Sequence, residues 1–329
     1  MNIATLKSVA QALIAPGKGI LAADESTKTI TKRLVSAGIE ATAENQLLYR
    51  KMLFTTPGIE EYLSGVILYD ETFKQSIEGK TIPEYLSQKG IIPGIKVDKG
   101  TKEMPSSPGE KITEGLDGLR ERLTEYKRLG AKFAKWRAVI TIGEEIPTKE
   151  CIQTNARLLA QYAASCQEQD IVPIVEPEVL MDGSHSLEKC QEVTKTTLVE
   201  VFRELEEYQV NLEGILLKPN MVTAGKDASL RSSIEEVAKA TVEVLKEVVP
   251  EQVPGIVFLS GGQSPDLATE HLRVMNQFKD LPWQLSFSYG RALQDEALRI
   301  WAGKEGNIPV AQEAFLKRAK IISLARKGK

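Results

Sequence analysis

Eight short apolar runs, each followed by a longer polar or amphipathic stretch, predict a single (β/α)8 barrel within the α/β class. The runs are Gly19–Asp24, Gly65–Asp70, Gly94–Asp98, Phe133–Ile140, Val172–Glu178, Gly214–Lys218, Gly255–Ser260 and Gln284–Ser288. Their hydrophobicity is continuous rather than alternating, as expected of parallel strands buried on both faces. A doubly wound sheet with more than six parallel strands is the alternative. The barrel is supported by charged or hydroxyl residues near the ends of the runs, which would all face one shared mouth.

In chain order, Ile3, Leu6, Val9, Ala10 and Leu13 recur at helical spacing, so residues 1–15 predict an N-terminal helix ending at Pro16-Gly17. Between the strands, the clearest helix patterns are Thr148–Glu168, Leu187–Tyr208, Ile234–Val249 and Pro265–Asn276. A last helix, 307–325, is expected to pack on the barrel exterior. Lys99–Thr113, with two Pro, two Gly and two Ser, is the longest loop candidate, either a mobile flap or an ordinary surface excursion. No compositional break marks a linker, so residues 1–329 are expected to form one domain.

Composition narrows the function. The 329 residues are 42% hydrophobic, enough for a full core, and 42 Lys+Arg against 45 Asp+Glu leave a net charge of −3. That balance argues against constitutive nucleic-acid or membrane-surface binding. No apolar run approaches the roughly 18 residues of a membrane span, and the N-terminus lacks a signal-peptide layout. Cys151, Cys166 and Cys190, without CxxC spacing, read as reduced thiols buried in helices, so a cytoplasmic protein is expected. His185 and His271 stand 86 residues apart in polar surroundings, which disfavours a metal centre. No metal and no cofactor are expected.

The chemistry is carried where strands end. Asp24 closes the first run, Asp70 and Glu71 the second, Lys96 and Asp98 the third, Lys135 and Arg137 lie on the fourth, Glu176 and Glu178 on the fifth, Lys218 on the sixth and Ser260 on the seventh. At any single strand end, a charge is ordinary solvated rim. Lysine and glutamate inside runs such as FAKWRAV and PIVEPEV, however, cost several kcal/mol unless paired. From Lys96 through Lys135, Glu176, Lys218 and Ser260 the intervals are 39, 41, 42 and 42 residues, as for one layer around a barrel.

Three lysines among carboxylates suit Schiff-base chemistry, in which a neutral amine condenses with a ketone. Burial and a neighbouring cation both favour the neutral form. Lys218, after Ile215-Leu216-Leu217 and before Pro219, is the best candidate, although spacing alone ranks it little above Lys96 or Lys135. Glu176, in an equally apolar run, is the natural proton shuttle. Ser260-Gly261-Gly262-Gln263-Ser264 and Ser288-Tyr289-Gly290-Arg291 follow the last two strands and open helices, the usual barrel position for a phosphate. A second basic group, Lys28, Lys32 and Arg33, follows the first strand.

These motifs closely resemble the class I fructose-bisphosphate aldolases. The matching stretches include GILAADEST, GIKVDKG, FAKWR, IVPIVEPE, EGILLKPNMVT, FLSGGQS and SFSYGRAL, in the family order across nearly the whole chain. The resemblance implies a TIM barrel, usually tetrameric, that interconverts fructose 1,6-bisphosphate with dihydroxyacetone phosphate and glyceraldehyde 3-phosphate. Carried over, Lys218 is the Schiff-base lysine, Glu176 the acid/base, Asp24 the aspartate near the imine, Lys135 the neighbouring cation and Glu178 its carboxylate neighbour. Ser260, Gly261, Gly262, Ser288, Gly290 and Arg291 resemble one phosphate pocket; Lys96, Thr29 and Arg33 would lie toward the second phosphate. The chain departs from the animal enzymes at Thr29, usually serine, and at Gln46, usually a substrate-binding arginine. It also has no tyrosine beyond Tyr289, where the family has a terminal one, so slow enamine protonation is expected. The alternatives are a seven-carbon bisphosphate aldolase, a transaldolase-type barrel and a catalytically idle scaffold.

Overall fold

The computed structural model describes residues 1–105 and 107–329; Ser106, within the stretch expected as a loop, lies outside the described residues. Strands β1 (Gly19–Ala23), β2 (Leu63–Leu68), β3 (Ile92–Lys96), β4 (Phe133–Ile140), β5 (Val172–Val179), β6 (Leu216–Leu217), β7 (Gly255–Phe258) and β8 (Gln284–Tyr289) pair in parallel in chain order. Closure comes from β1 against β8, with Ile20 opposite Ser288 and Leu21 opposite Tyr289. This is a closed (β/α)8 TIM barrel, and the doubly wound alternative is overturned. The longest ladder joins β4 and β5 through eight registered pairs, from Phe133–Val172 to Ile140–Val179. β6 is shorter than expected. Leu212–Gly214 forms a 3-10 turn before it, and Pro219 follows Lys218 with no N–H to extend the ladder.

Helices surround the strands: α1 (Ile3–Leu13), α2 (Thr27–Ser36), α3 (Ala43–Phe54), α4 (Asp70–Phe73), α5 (Ile82–Gln88), α6 (Leu119–Arg128), α7 (Lys149–Glu168), α8 (Leu187–Glu207), α9 (Ile234–Val248), α10 (Pro265–Met275), α11 (Arg291–Trp301) and α12 (Ile308–Ala325). The expected boundaries hold to within a few residues. Thr148 proves to be an N-cap rather than the first helical residue, its hydroxyl accepting from Cys151 N–H. Ser26 and Ser264 cap α2 and α10 in the same way. The three cysteines are buried on α7 and α8. No helix among the described residues is long and apolar enough to cross a membrane.

The expected loop at Lys99–Thr113 is instead largely an antiparallel hairpin, Thr101–Met104 with Ser107–Thr113. Contacts distant in sequence hold it. Glu110 accepts from Thr148 N–H at 2.6 Å and Thr148 Oγ at 2.7 Å, while Thr113 Oγ donates to Arg137 O at 2.8 Å. No local turn pattern reports such contacts.

Two apolar layers follow from the two faces of the strands. Inside the barrel, Ile20, Ala22, Ile67, Phe133, Val172, Ile174, Leu216 and Val257 pack with Leu6, Ala10, Leu13 and Ile14. The last four come from α1 and its end, which meets β2, β6 and β7 near where those strands begin and plugs the barrel base. Two residues further along their strands, the faces of Ala22, Phe133, Ile174 and Leu216 carry Asp24, Lys135, Glu176 and Lys218. The same alternation therefore makes a dry floor and a charged layer above it.

At the base, α12 is tied down by Arg326, whose guanidinium donates to the carbonyls of Ile14, Ala15, Lys18 and Leu285. Phe133 occupies space left by glycines. A Cβ at Gly94 would fall 2.3 Å from its ring, and one at Gly65 2.7 Å from Leu13 Cδ2. Gly94→Ala is therefore expected to destabilise the fold by roughly 1–3 kcal/mol through overpacking. Adding Phe133→Leu should cost less than the two single losses combined, a coupling that chemical denaturation of the four-member cycle measures.

Candidate active site

The charged layer is the floor of a cavity of about 1400 Å³ at the C-terminal mouth, lined in part by Asp24, Lys96, Lys135, Glu178 and Lys218. Lys135 Nζ lies 2.7 Å from Asp24 Oδ2 and 3.4 Å from Glu176 Oε2. Lys218 Nζ lies 3.2 Å from Glu176 Oε1. Asp24, Lys135, Glu176 and Lys218 thus form an alternating chain of opposite charges, with side chains only 4–12% exposed. Glu176 is the link between the two lysines.

Burial alone would raise the carboxyl of Asp24, but Lys135, Lys218 and Lys96 outweigh it and hold its pKa down at about 2. For Lys135, burial favours the neutral amine; Asp24, Glu176 and Asp98 overcome that and raise the pKa above the ordinary lysine range. Lys135 is a fixed cation. Two further pairs flank the chain, Lys96 with Asp98 and Arg137 with Glu178.

Above this floor, the turn after β7 meets the start of α11. Gly261 and Gly262 both adopt positive φ (60° and 88°), a conformation that turns neighbouring amides toward one side. A Cβ at Gly262 would stand 3.7 Å from Arg291 Nη2, so the guanidinium lies against the turn. Ser260, Gly261, Ser288, Gly290 and Arg291 all line the cavity, and Ser288 Oγ is buried without a hydrogen-bond partner among the described residues. The residues expected in one phosphate pocket therefore converge.

Arg33, Thr29 and Lys96, expected toward the second phosphate, also line the cavity, each with partners of its own. Arg33 pairs with Glu25 and Asp295 (2.8 Å to the latter), donates to Gln294 Oε1 at 3.0 Å and lies over the Tyr49 ring. Gln294 and Asp295 lie on α11, within about a turn of Arg291, whereas Lys96 is held on β3 by Asp98. The two basic groups are closer together than their places in the sequence suggest. Thr29 lies on α2, its hydroxyl 3.0 Å from that of Ser26, and both line the cavity. Gln46 is buried on α3 with Nε2 3.4 Å from Thr31 Oγ, away from the cavity lining.

Sequence reasoning passed over Glu25 and Asp295 as the counter-charges of Arg33, and over Ser26. The Ser26-x-x-Thr29 capping pattern was the available signal for the last. One further expectation is corrected. His271 is buried rather than in polar surroundings, because it falls on the inward face of α10. Among the tyrosines, Tyr289 is buried with its hydroxyl donating to Ala268 O at 3.0 Å, while Tyr69 and Tyr126 line the cavity. Among the described residues, no group of three or more His, Cys, Asp or Glu is placed to hold a metal ion.

The ion-pair chain has an unequal dependence on its cations. Lys135→Met leaves Asp24 and Glu176 short of positive charge in a buried site and is expected to cost roughly 3–5 kcal/mol. Lys218→Met leaves Glu176 with Lys135 and should cost less. Urea unfolding of both variants measures the difference, and equal or reversed losses would contradict the pairing.

The model of the family described as fructose-bisphosphate aldolase class-I matches residues 5–329. A probable fructose-bisphosphate aldolase class 1 of Xanthomonas axonopodis pv. citri is 56% identical over 331 residues, covering 100% of this chain and 99% of the relative. The cytosolic fructose-bisphosphate aldolase 4 of Arabidopsis thaliana is 52% identical over 315 residues, covering 95% of this chain and 80% of the relative. Among solved structures, fructose-bisphosphate aldolase from Plasmodium falciparum, in ternary complex with TRAP and a small-molecule inhibitor, superposes with a TM-score of 0.98 at 49% identity. That match covers 99% of this chain and 95% of the other. On these matches and the barrel they share, the chain belongs to the class-I fructose-bisphosphate aldolase family and is a lyase.

Proposed function

We propose that this enzyme reversibly cleaves fructose 1,6-bisphosphate to dihydroxyacetone phosphate and glyceraldehyde 3-phosphate through a Schiff base on Lys218, without a metal, in glycolysis or its reversal. The observation that carries this proposal is the position of Glu176, with one carboxylate oxygen facing Lys218 and the other Lys135. A proton passed from Lys218 to Glu176 yields a neutral amine beside a carboxylic acid, while Lys135 stays charged next to Asp24.

The amine adds to the C2 carbonyl, and Glu176 returns a proton to the carbinolamine hydroxyl, which leaves as water. The resulting iminium is the electron sink. Glu176, again a carboxylate, accepts the C4 hydroxyl proton as the C3–C4 bond breaks, releasing the aldehyde and leaving an enamine. Protonation at C3 and hydrolysis regenerate Lys218. Asp24 and Lys135 fix the electrostatics around the nitrogen, and Glu178, held by Arg137, completes the wall of the site.

The turn at Ser260–Gly262, with Ser288, Gly290 and Arg291, takes one phosphate. Thr29, Arg33 and Lys96 serve the other. Two phosphate-binding groups favour a bisphosphate over the single phosphate of a transaldolase-type substrate. A cytoplasmic location is part of the proposal because the Arabidopsis thaliana relatives are named cytosolic. So is a homotetramer, on the family resemblance, which sedimentation of the purified protein tests.

Borohydride reduction with dihydroxyacetone phosphate in excess chelator is expected to label the peptide containing Lys218, with cleavage activity retained. Label on Lys96 or Lys135, or activity lost to the chelator, would refute the mechanism. In a second measurement, Arg291→Ala should weaken dihydroxyacetone phosphate and bisphosphate alike, by roughly ten- to a hundredfold for a lost charge-assisted contact. Arg33→Ala should weaken the bisphosphate more. Equal effects on both ligands by both variants would mean a single phosphate pocket.

A further inference from the structure

The turn that approaches Arg291 is held from outside the cavity by a residue that the chemistry above does not use. His271, on α10, is 2% exposed and absent from the cavity lining. Its Nδ1 lies 2.6 Å from Oε1 of Gln263, the residue after the two glycines. Gln263 Nε2 in turn lies 3.5 Å from Sδ of Met221, three residues beyond Lys218. A carbonyl oxygen accepts, so the ring proton belongs on Nδ1, and the buried Nε2 has no hydrogen-bond partner among the described residues. Burial lowers the ring pKa to about 4 against weak opposition from Glu235 and Glu270, which keeps it neutral and in that tautomer near pH 7.

We propose that His271 is a positioning residue for the phosphate-binding turn: through Gln263 it fixes the Gly261-Gly262 backbone and joins it to the segment that leaves Lys218. The role rests on the phosphate pocket proposed above. Its physical basis is the freedom of the two glycines. Both sit at positive φ, and neither has a side chain to hold it there. The turn is closed locally by Gln263 N–H donating to Ser260 O at 3.0 Å. The Gln263 side chain is its anchor on the protein side, so amides aimed at a phosphate are set before the phosphate arrives. The same anchor reaches Met221, which couples the phosphate end of the cavity to the exit of β6.

The test uses the full-length protein and inorganic phosphate, measured by titration calorimetry, together with steady-state cleavage. His271→Leu is expected to weaken phosphate binding roughly three- to tenfold, the range for one neutral hydrogen bond. It should raise the KM for fructose 1,6-bisphosphate in step while changing kcat less than about twofold. His271→Asn, whose amide can occupy the position of Nδ1, should restore affinity to near the parent value. Gln263→Leu cuts the same link from a half-buried position and should reproduce His271→Leu if the buried histidine cannot be replaced without unfolding. Unchanged phosphate affinity in both leucine variants, or kcat falling as far as affinity, would overturn the role. Arg291→Ala separates the two levels. If it weakens phosphate while the leucine variants do not, only the positioning role fails; if it also has no effect, the phosphate pocket itself is misplaced and both proposals fail.

Discussion

The structure depends on a buried row of alternating charges, Asp24–Lys135–Glu176–Lys218, drawn from four strands of one barrel. No member could be buried alone, since an unpaired charge in a dry interior costs several kcal/mol. Each therefore requires its neighbours at ion-pair distance, and that distance exists only when β1, β4, β5 and β6 close into the same cylinder. The requirement runs both ways. Closure assembles the row, and the row penalises any register slip that would turn one of its members toward the outer helices.

Counting the flanking pairs, the floor of the cavity holds four cations, Lys96, Lys135, Arg137 and Lys218, against four carboxylates, Asp24, Asp98, Glu176 and Glu178. Such a floor has little net attraction for an anion. It is suited to holding protons in defined places and to exchanging one across the 3.2 Å between Lys218 and Glu176. In the proposed reading, anion binding is left to the rim, where backbone amides of the Gly261-Gly262 turn and Arg291 would act without disturbing the proton chemistry below. Arg33 adds a competitive element, because a phosphate approaching it must displace or share Glu25 and Asp295.

Support for this arrangement comes from the opposite end. α1 packs into the base with Leu6, Ala10 and Leu13, and Phe133 fills the space left by Gly65 and Gly94, which sets an apolar layer beneath the charged one. The hairpin formed by Thr101–Met104 and Ser107–Thr113 braces β4, the strand that carries Lys135, through Thr113 Oγ donating to Arg137 O. These contacts tie the strands that carry the charged layer into the rest of the barrel, and side chains borne on strands are held more precisely than side chains on loops.

The sequence by itself determined the architecture and the residues at the mouth. Strand faces alternate with period two, so Phe133 and Lys135, or Ile174 and Glu176, must share a face whatever the rest of the chain does. The turn glycines were legible for the same reason, since each depends on a few adjacent residues, whereas the Ser26, Thr148 and Ser264 caps emerged only with the helix starts of the folded chain. Only the tertiary structure decided which charges meet. Lys96, Lys135 and Lys218 were nearly equivalent along the chain. In the folded barrel, Lys96 is held by Asp98 and Lys135 lies between Asp24 and Glu176, while Lys218 faces Glu176. Arg33 finding Glu25 and Asp295, Glu110 capping α7, and His271 reaching Gln263 belong to the same class. Coulombic and hydrogen-bond energies fall off over a few ångströms. Those separations are set by barrel closure and helix packing, and no local pattern encodes them.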